Sequence, residues 1–178
     1  MIICAGRNET FPFAREMGVG LVETAINLTR QCLFDKPEYL LFIGSAGSYG
    51  QNEIFDIVES KRASNIELSF LTSSAYTPLD NVLESENKFA RNDTIVNSSN
   101  YISTNSDLTK QFLDYGVGIE NMEFFSVLSV AKQFEIPVAG IFVVTNYTDQ
   151  NAHEDFIKNH ETAKEILTKY LLEKNIIK

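Results

Sequence analysis

Val138-Ala139-Gly140-Ile141-Phe142-Val143-Val144-Thr145 runs without a charge, directly after Pro137. A run this short, this apolar and this rich in β-branched side chains reads as a strand in a sheet covered on both faces. Before it, residues 122–134 are apolar nearly all round (Met122, Phe124, Phe125, Val127, Leu128, Val130, Ala131, Phe134), the pattern of a buried helix. After it, residues 152–174 place Phe156, His160, Ala163, Leu167, Tyr170 and Leu171 on one stripe, which predicts a closing helix. The same alternation stands at the other end of the chain. Residues 2–5 are a short apolar run ended by Gly6, residues 19–33 put Val19, Val22, Ile26, Thr29 and Leu33 at helical spacing, and residues 38–43 are a second apolar run. Strand, helix and strand in that order form a βαβ-type unit.

Between these ends the patterning is looser. Residues 54–58 and 66–71 read as strands of a hairpin with a polar turn at 61–65, and 94–96 with 101–102 as a strand interrupted by polar 97–100. Residues 106–113 read as a short helix capped by Ser106, and Gly116 and Gly118 bracket a further parallel-type strand. The expected fold is α/β, in three layers, with a mostly parallel or mixed central sheet flanked by helices. In such a sheet ligands bind at the carboxyl ends of the strands. At 178 residues, with no repeat and no Pro/Gly-rich linker, one domain over 1–178 is expected.

Composition removes several functions. No run approaches the ~18 apolar residues of a membrane span. Met1 leads straight into Ile2 and Ile3 with no basic segment or cleavage site, so the expected location is cytoplasmic. Cys4 and Cys32 have no Cys or His at metal-ligand spacing, so neither a disulfide scaffold nor a metal site is expected. Fifteen basic against 24 acidic residues give a net charge of −9, a field that repels polyanions, so no nucleic acid partner is expected. The pair Lys61-Arg62 reads as a solvated strand end. A small-molecule ligand remains.

Four polar segments follow apolar runs and are placed to converge on one cleft: Arg7-Asn8-Glu9, residues 45–48, residues 120–123 and residues 145–149. The glycine-rich stretch at 44–50, Gly-Ser-Ala-Gly-Ser-Tyr-Gly, lacks the lysine and spacing of a P-loop and is not GxGxxG, so alone it reads as a tight turn. Glu123 is a carboxylate in an otherwise apolar helix and needs a partner, either a ligand hydroxyl or a neighbouring amide or arginine. His153 and His160 lie seven apart on the last helix and read as surface residues.

Taken in order, these segments resemble the purine nucleoside phosphorylase and uridine phosphorylase superfamily, most closely its methylthioadenosine/S-adenosylhomocysteine nucleosidase branch. Residues 2–5 through Glu9 look like the family's first strand and its acidic end, and Met17-Gly18-Val19-Gly20 like the glycine turn before the first helix. Phe42-Ile43-Gly44-Ser45-Ala46-Gly47 looks like the glycine-rich loop, and Ile95-Val96-Asn97-Ser98-Ser99-Asn100-Tyr101-Ile102 occupies the place of the base-binding segment. Asn121-Met122-Glu123 looks like the ribose-binding Met-Glu pair, and Val143-Val144-Thr145-Asn146 like the strand carrying the catalytic carboxylate.

The resemblance implies a nucleoside phosphorylase-like fold and cleavage of the N-glycosidic bond of a purine nucleoside. Glu9 would be the base that activates water, Glu123 would hold the ribose hydroxyls, Met122 would pack on the sugar, Tyr101 would stack on the base, and Ser45 would line the cleft. Asn146 stands where the nucleosidases place the aspartate that protonates the purine, and where trimeric phosphorylases use asparagine for a 6-oxopurine. It would assist the leaving base by hydrogen bonding, with Asp149 as a nearby carboxylate able to substitute. Phe42 stands where the phosphorylases carry a phosphate-binding arginine, which favours water over phosphate as acceptor and leaves Arg7 and Arg15 as the nearby cations. No cofactor is implied, phosphate being a co-substrate if the enzyme is a phosphorylase. A catalytically silent nucleoside-binding module is the other reading. The segment between Glu9 and Met17 is short for the family, which implies a pocket completed by a second subunit of a homodimer or higher oligomer, with Phe11 and Phe13 as aromatic candidates there and the pair Phe124-Phe125 as a further one whose first reading is core packing.

Overall fold

The computed structural model describes residues 1–86, 90–91 and 93–178; residues 87–89 and 92, in the loosely patterned stretch, lie outside it. In chain order the elements are β1 (Ile2–Cys4), β2 (Arg15–Glu16), α1 (Gly20–Phe34), β3 (Leu40–Ser48), β4 (Ile57–Ser60), β5 (Arg62–Ser64), α2 (Leu68–Leu71), β6 (Val82–Glu84), β7 (Ile95–Asn97), α3 (Ser106–Thr109), a 3-10 turn (Lys110–Tyr115), β8 (Val117–Glu120), α4 (Phe124–Phe134), β9 (Val138–Tyr147) and α5 (Ala152–Glu173).

The two apolar runs are the central pair: β3 and β9 lie parallel from Leu40 opposite Val138 to Ser48 opposite Tyr147. Successive side chains of a strand face opposite ways. Leu40 and Phe42 with Val138, Phe142 and Val144 therefore enter one core with α1 and α4, while Leu41 and Ile43 with Ala139, Ile141 and Val143 enter a second core with Ala163, Leu167 and Leu171 of α5. This is why neither strand alternates apolar and polar residues. The result is a mixed α/β fold, with a nine-stranded sheet between α1 and α4 on one side and α5 on the other.

Two departures from regular pairing shape the sheet. β4 runs antiparallel to β9, and after Lys61 the chain continues as β5, parallel to β7; with β7 on β8 and β8 on β3, the sheet closes into a ring. The outer edge of β3 is also shared, with β1 pairing at Leu41 and Phe42 and β8 pairing at Gly47 and Ser48. Between them, around Ser45, that edge has no strand beside it among the described residues.

Several expectations for the middle of the chain are corrected. There is no 54–71 hairpin: Arg62–Ser64 is strand rather than turn, and Leu68–Leu71 is one helical turn. Tyr101 and Ile102 lie in a bend and loop outside β7, and the helix at Ser106 is capped by Asn105, whose Oδ1 accepts from Leu108 N. Asn97 ends β7 instead of interrupting a strand; its buried amide joins Ser64 and Ile66. Gly118 sits inside β8, which is antiparallel to β3 and parallel to β7. The expected stripe on α1 is the wrong face. Val22, Ile26 and Leu33 are exposed, and the helix is buried through Gly20, Thr24, Leu28, Gln31 and Cys32.

Candidate active site

The unpaired stretch of the β3 edge is filled by side chains. Ser45 N donates to Glu9 Oε1 (2.6 Å), and Ser45 O accepts from Asn121 Nδ2 (3.1 Å). Glu9 reaches this position because the chain turns sharply after β1, with Gly6 at φ +101° and Glu9 N donating back to Gly6 O. Asn121 also accepts at Oδ1 from Glu123 N and Phe124 N, so one amide ties the glycine-rich strand to the start of α4.

Glu123 stands at that start, 2% exposed. Its Oε1 accepts from Gly20 N (2.8 Å), one of the free donors at the N-terminus of α1. Burial pushes its carboxyl up to about 8, and the charge of Glu9 pushes the same way. Gly20 has φ +82°, and a Cβ there would stand 2.7 Å from Asn100 Oδ1, which accepts from Leu21 N. Gly20→Ala is therefore expected to cost about 1–3 kcal/mol in stability and to dislodge Glu123, measurable as a lower urea midpoint and weaker ligand binding.

The far wall comes from β9. Its pairing with β3 slips between Ala46 and Gly47, leaving Thr145 as an extra residue. Such a bulge re-aims the following side chain. Asn146 is buried, accepts at Oδ1 from Thr145 Oγ1 (2.9 Å) and donates from Nδ2 to Tyr147 O (3.0 Å).

These groups line one cavity of about 410 Å³. Glu9, Ser45, Tyr101, Met122, Glu123 and Asn146 are brought together in it, as are parts of all four polar segments. Of residues 95–102 only Ser99, Tyr101 and Ile102 reach the cavity, with Tyr101 83% exposed at its lip. Ser98 is instead buried and its hydroxyl accepts from Phe125 N. Asp149 is not in the wall; its carboxylate accepts from Asn151 N just before α5. Phe11 is a core residue, not a surface aromatic, Phe124 is in the core as its packing pattern predicts, and Phe42 packs fully buried against Phe124 and Phe142. Arg7 is exposed on the rim and paired with Glu23 (3.7 Å), while Arg15 is outside the lining.

His153 and Phe156 also line the cavity, from the first turns of α5. Residue pattern reads His153 as a surface residue and puts Phe156 on the stripe that faces the core, so neither is expected in the cavity wall. Glu120 lines the wall too, with Oε2 accepting from Tyr49 Oη (3.0 Å) and Oε1 from Ser103 N (3.0 Å).

A cavity at the carboxyl ends of β3 and β9, with a buried carboxyl at a helix N-terminus and a second carboxylate held on the glycine-rich strand, stands where α/β sheets bind small-molecule ligands. The family model described as the phosphorylase superfamily matches residues 3–174, and the chain belongs to that superfamily. Among solved structures it is similar to the Helicobacter pylori MTAN, an Asp-to-Asn mutant with 5′-methylthioadenosine in the active site (TM-score 0.78, 18% identity, 97% of this chain and 95% of that one). It is also similar to the futalosine hydrolase of Helicobacter pylori (0.77, 17%, 96% and 94%). A third likeness is to the Streptococcus pneumoniae 5′-methylthioadenosine/S-adenosylhomocysteine nucleosidase with the transition-state inhibitor MT-ImmA (0.76, 14%, 96% and 95%). Identities this low show the fold. No protein of curated function matches the sequence.

Proposed function

We propose that this protein hydrolyses the N-glycosidic bond of a purine nucleoside. The observation that carries the reading is the pair of carboxyl groups in one cavity: Glu123, buried on the N-terminus of α1, and Glu9, held on Ser45 N and close enough for its charge to act on Glu123. Buried donors and acceptors at these positions suit a sugar whose hydroxyls both donate and accept. In this reading Glu123 binds the ribose hydroxyls, Met122 packs on the sugar, Tyr101 folds onto the base, Ser45 lines the floor and Asn146 faces the leaving base. Glu9 takes a proton from the attacking water. Cavities of this fold hold 5′-methylthioadenosine in the Helicobacter pylori nucleosidase and a transition-state inhibitor in the Streptococcus pneumoniae enzyme, which supports a purine nucleoside here.

Phosphorolysis is the runner-up, and one observation disfavours it: the position of the phosphate arginine is Phe42, wholly inside the core, and Arg7 is tied to Glu23 on the rim. The reading needs no cofactor beyond water, places the enzyme in the cytoplasm as a single domain, and gives it a second copy as partner. The exposed apolar face of α1 (Val22, Ile26, Leu33) with Phe34 supports a homodimer. Among the described residues no helix is long and apolar enough to cross a membrane.

The test is release of free base from inosine, guanosine, adenosine and methylthioadenosine, each with and without phosphate. Release independent of phosphate is expected; strictly phosphate-dependent release would overturn the choice of water. Silence in every tube, with nucleosides still raising the melting temperature, would leave a binding module. Glu9→Gln is expected to lower the hydrolytic kcat by about 100-fold or more. A hydrolysis rate like the wild type's in that variant would remove Glu9 from the mechanism.

A further inference from the structure

A purine leaves a glycosidic bond as an anion unless a proton reaches it, and Asn146 has none to give. Its carboxamide is, besides, already engaged along its own strand, with Thr145 Oγ1 on Oδ1 and Tyr147 O on Nδ2. The row of the sheet that holds Asn146 continues on the other side. Gly47 of β3 is the register partner of Asn146 on β9 and of Glu120 on β8. Side chains in one row of adjacent strands share a face. With no side chain at Gly47, the two neighbours lean over it. A Cβ at that glycine would stand 3.0 Å from Asn146 Nδ2 and 3.2 Å from Glu120 Cγ. Both side chains line the cavity.

We infer that Glu120 is the acid that protonates the departing base, so that the proton comes from β8, across Gly47, rather than from the residue at the end of β9. This rests on the nucleosidase reading of the cavity. Burial raises the Glu120 carboxyl above its ordinary value, which favours its holding a proton before the reaction. Tyr49 Oη and Ser103 N, each 3.0 Å from a carboxyl oxygen, are donors set to hold the carboxylate afterwards. Tyr49 is itself fixed, 2% exposed and stacked on Phe112 at 4.6 Å. The other titratable side chains of the wall have other places. Glu9 is on Ser45 N, Glu123 on Gly20 N, Arg7 on Glu23 and Tyr101 at the lip, while His153 is exposed on the first turn of α5, without a hydrogen bond among the described residues.

The step balances without a further reactant. The C1′–N9 bond breaks with its electron pair going to the base, and a purine ring nitrogen takes the proton of Glu120. Water adds its oxygen to C1′ and gives a proton to Glu9. Exchange with solvent then returns a proton to Glu120 and removes one from Glu9.

The test compares leaving groups. Purine nucleosides need the proton; 4-nitrophenyl β-D-riboside, whose phenolate leaves unaided, does not. In Glu120→Gln, kcat on the preferred purine nucleoside is expected to fall about 100-fold or more with KM little changed, while the nitrophenyl riboside is cleaved within about fivefold of the wild-type rate. That second rate also reports whether the variant is folded. Tyr49→Phe, which leaves Glu120 in place but removes a donor to its carboxylate, is expected to lose about tenfold on the purine substrate alone. Equal losses on both substrates, no loss on the purine, or the same split produced by His153→Gln instead, would overturn the assignment. A wild-type protein that cleaves the nitrophenyl riboside but no purine nucleoside would overturn it too, leaving the cavity a glycosidase site. Cleavage of neither would remove the nucleosidase reading along with it.

Discussion

At pH 8.5, Glu123→Gln is expected to melt well above the wild type, although the two are expected to melt alike near pH 5. The carboxyl of Glu123 is buried against the N-terminus of α1 and pushed up to about 8 from its ordinary 4.5. Between those values the folded protein holds a proton that the unfolded chain has released, so stability falls as pH rises. The contribution is fully present below 4.5 and is lost as pH climbs through about 8. A full shift of this size is worth on the order of 5 kcal/mol at 1.36 kcal/mol per unit, or on the order of 10 °C for a chain of this length. Glutamine keeps the shape, still accepts from Gly20 N, and has no charge to bury. Thermal melts of both proteins from pH 5 to 9 check this, and parallel curves would refute it. A sugar hydroxyl donating to Glu123 stabilises the ionised form, so a bound nucleoside is expected to restore much of the loss in the wild type and little in the variant.

The legible part of this fold is the part in which burial writes directly into composition. Residues 138–145 and 40–43 are apolar on both faces because cores lie on both sides of β3 and β9, and α4 is apolar nearly all round because α1 and the sheet cover it except at Lys132 and Gln133. On α1 the same reasoning selects the wrong side. Val22, Ile26 and Leu33 make the more apolar stripe, yet the buried stripe is offset from it by two residues, about 200° around the helix. Small and polar residues bring α1 close to α4, with Thr24 Oγ1 donating to Gly18 O and Ser126 Oγ donating to Leu21 O. Periodicity locates faces but does not say which one meets the core.

The site divides in the same way. Its acidic and glycine-rich segments are recognisable because each follows an apolar run, and the ends of β1, β3, β8 and β9 meet at one edge of the sheet. What sequence does not show is the consequence of pairing. The gap in the edge of β3 that frees Ser45 N for Glu9, the slip at Thr145 that turns Asn146, and the register that sets Glu120 beside Gly47 are properties of strands relative to one another. Asn97 shows the reverse error. A polar residue within the expected base-binding segment reads as the start of a break in the strand, and it is the buried lock between β5 and β7.

Phe42→Ala is expected to cost about 3–5 kcal/mol, the range for deleting a buried phenyl ring. Phe42 is 0% exposed, and its ring centroid lies 5.9 Å from that of Phe124 and 5.8 Å from that of Phe142. The backbone has been cleared for this cluster: a Cβ on Gly140 would stand 2.5 Å from the Phe142 ring and 2.7 Å from that of Phe124, and one on Gly44 would stand 3.3 Å from Phe42 itself. Three rings and two glycines therefore form one packing unit beneath the cavity, which cannot close around a missing ring. The same unit bears on the choice of acceptor. Phe42→Arg would place a guanidinium among phenyl rings with no anion beside it, at a cost beyond that of the alanine variant. It is expected to unfold the protein at 37 °C rather than to create a phosphate site. Urea midpoints for the alanine variant, with a base-release assay in phosphate for the arginine variant, decide the matter. An arginine variant that folds and gains phosphate-dependent release would show that the core yields to a charge, and that one side chain separates water from phosphate in this chain.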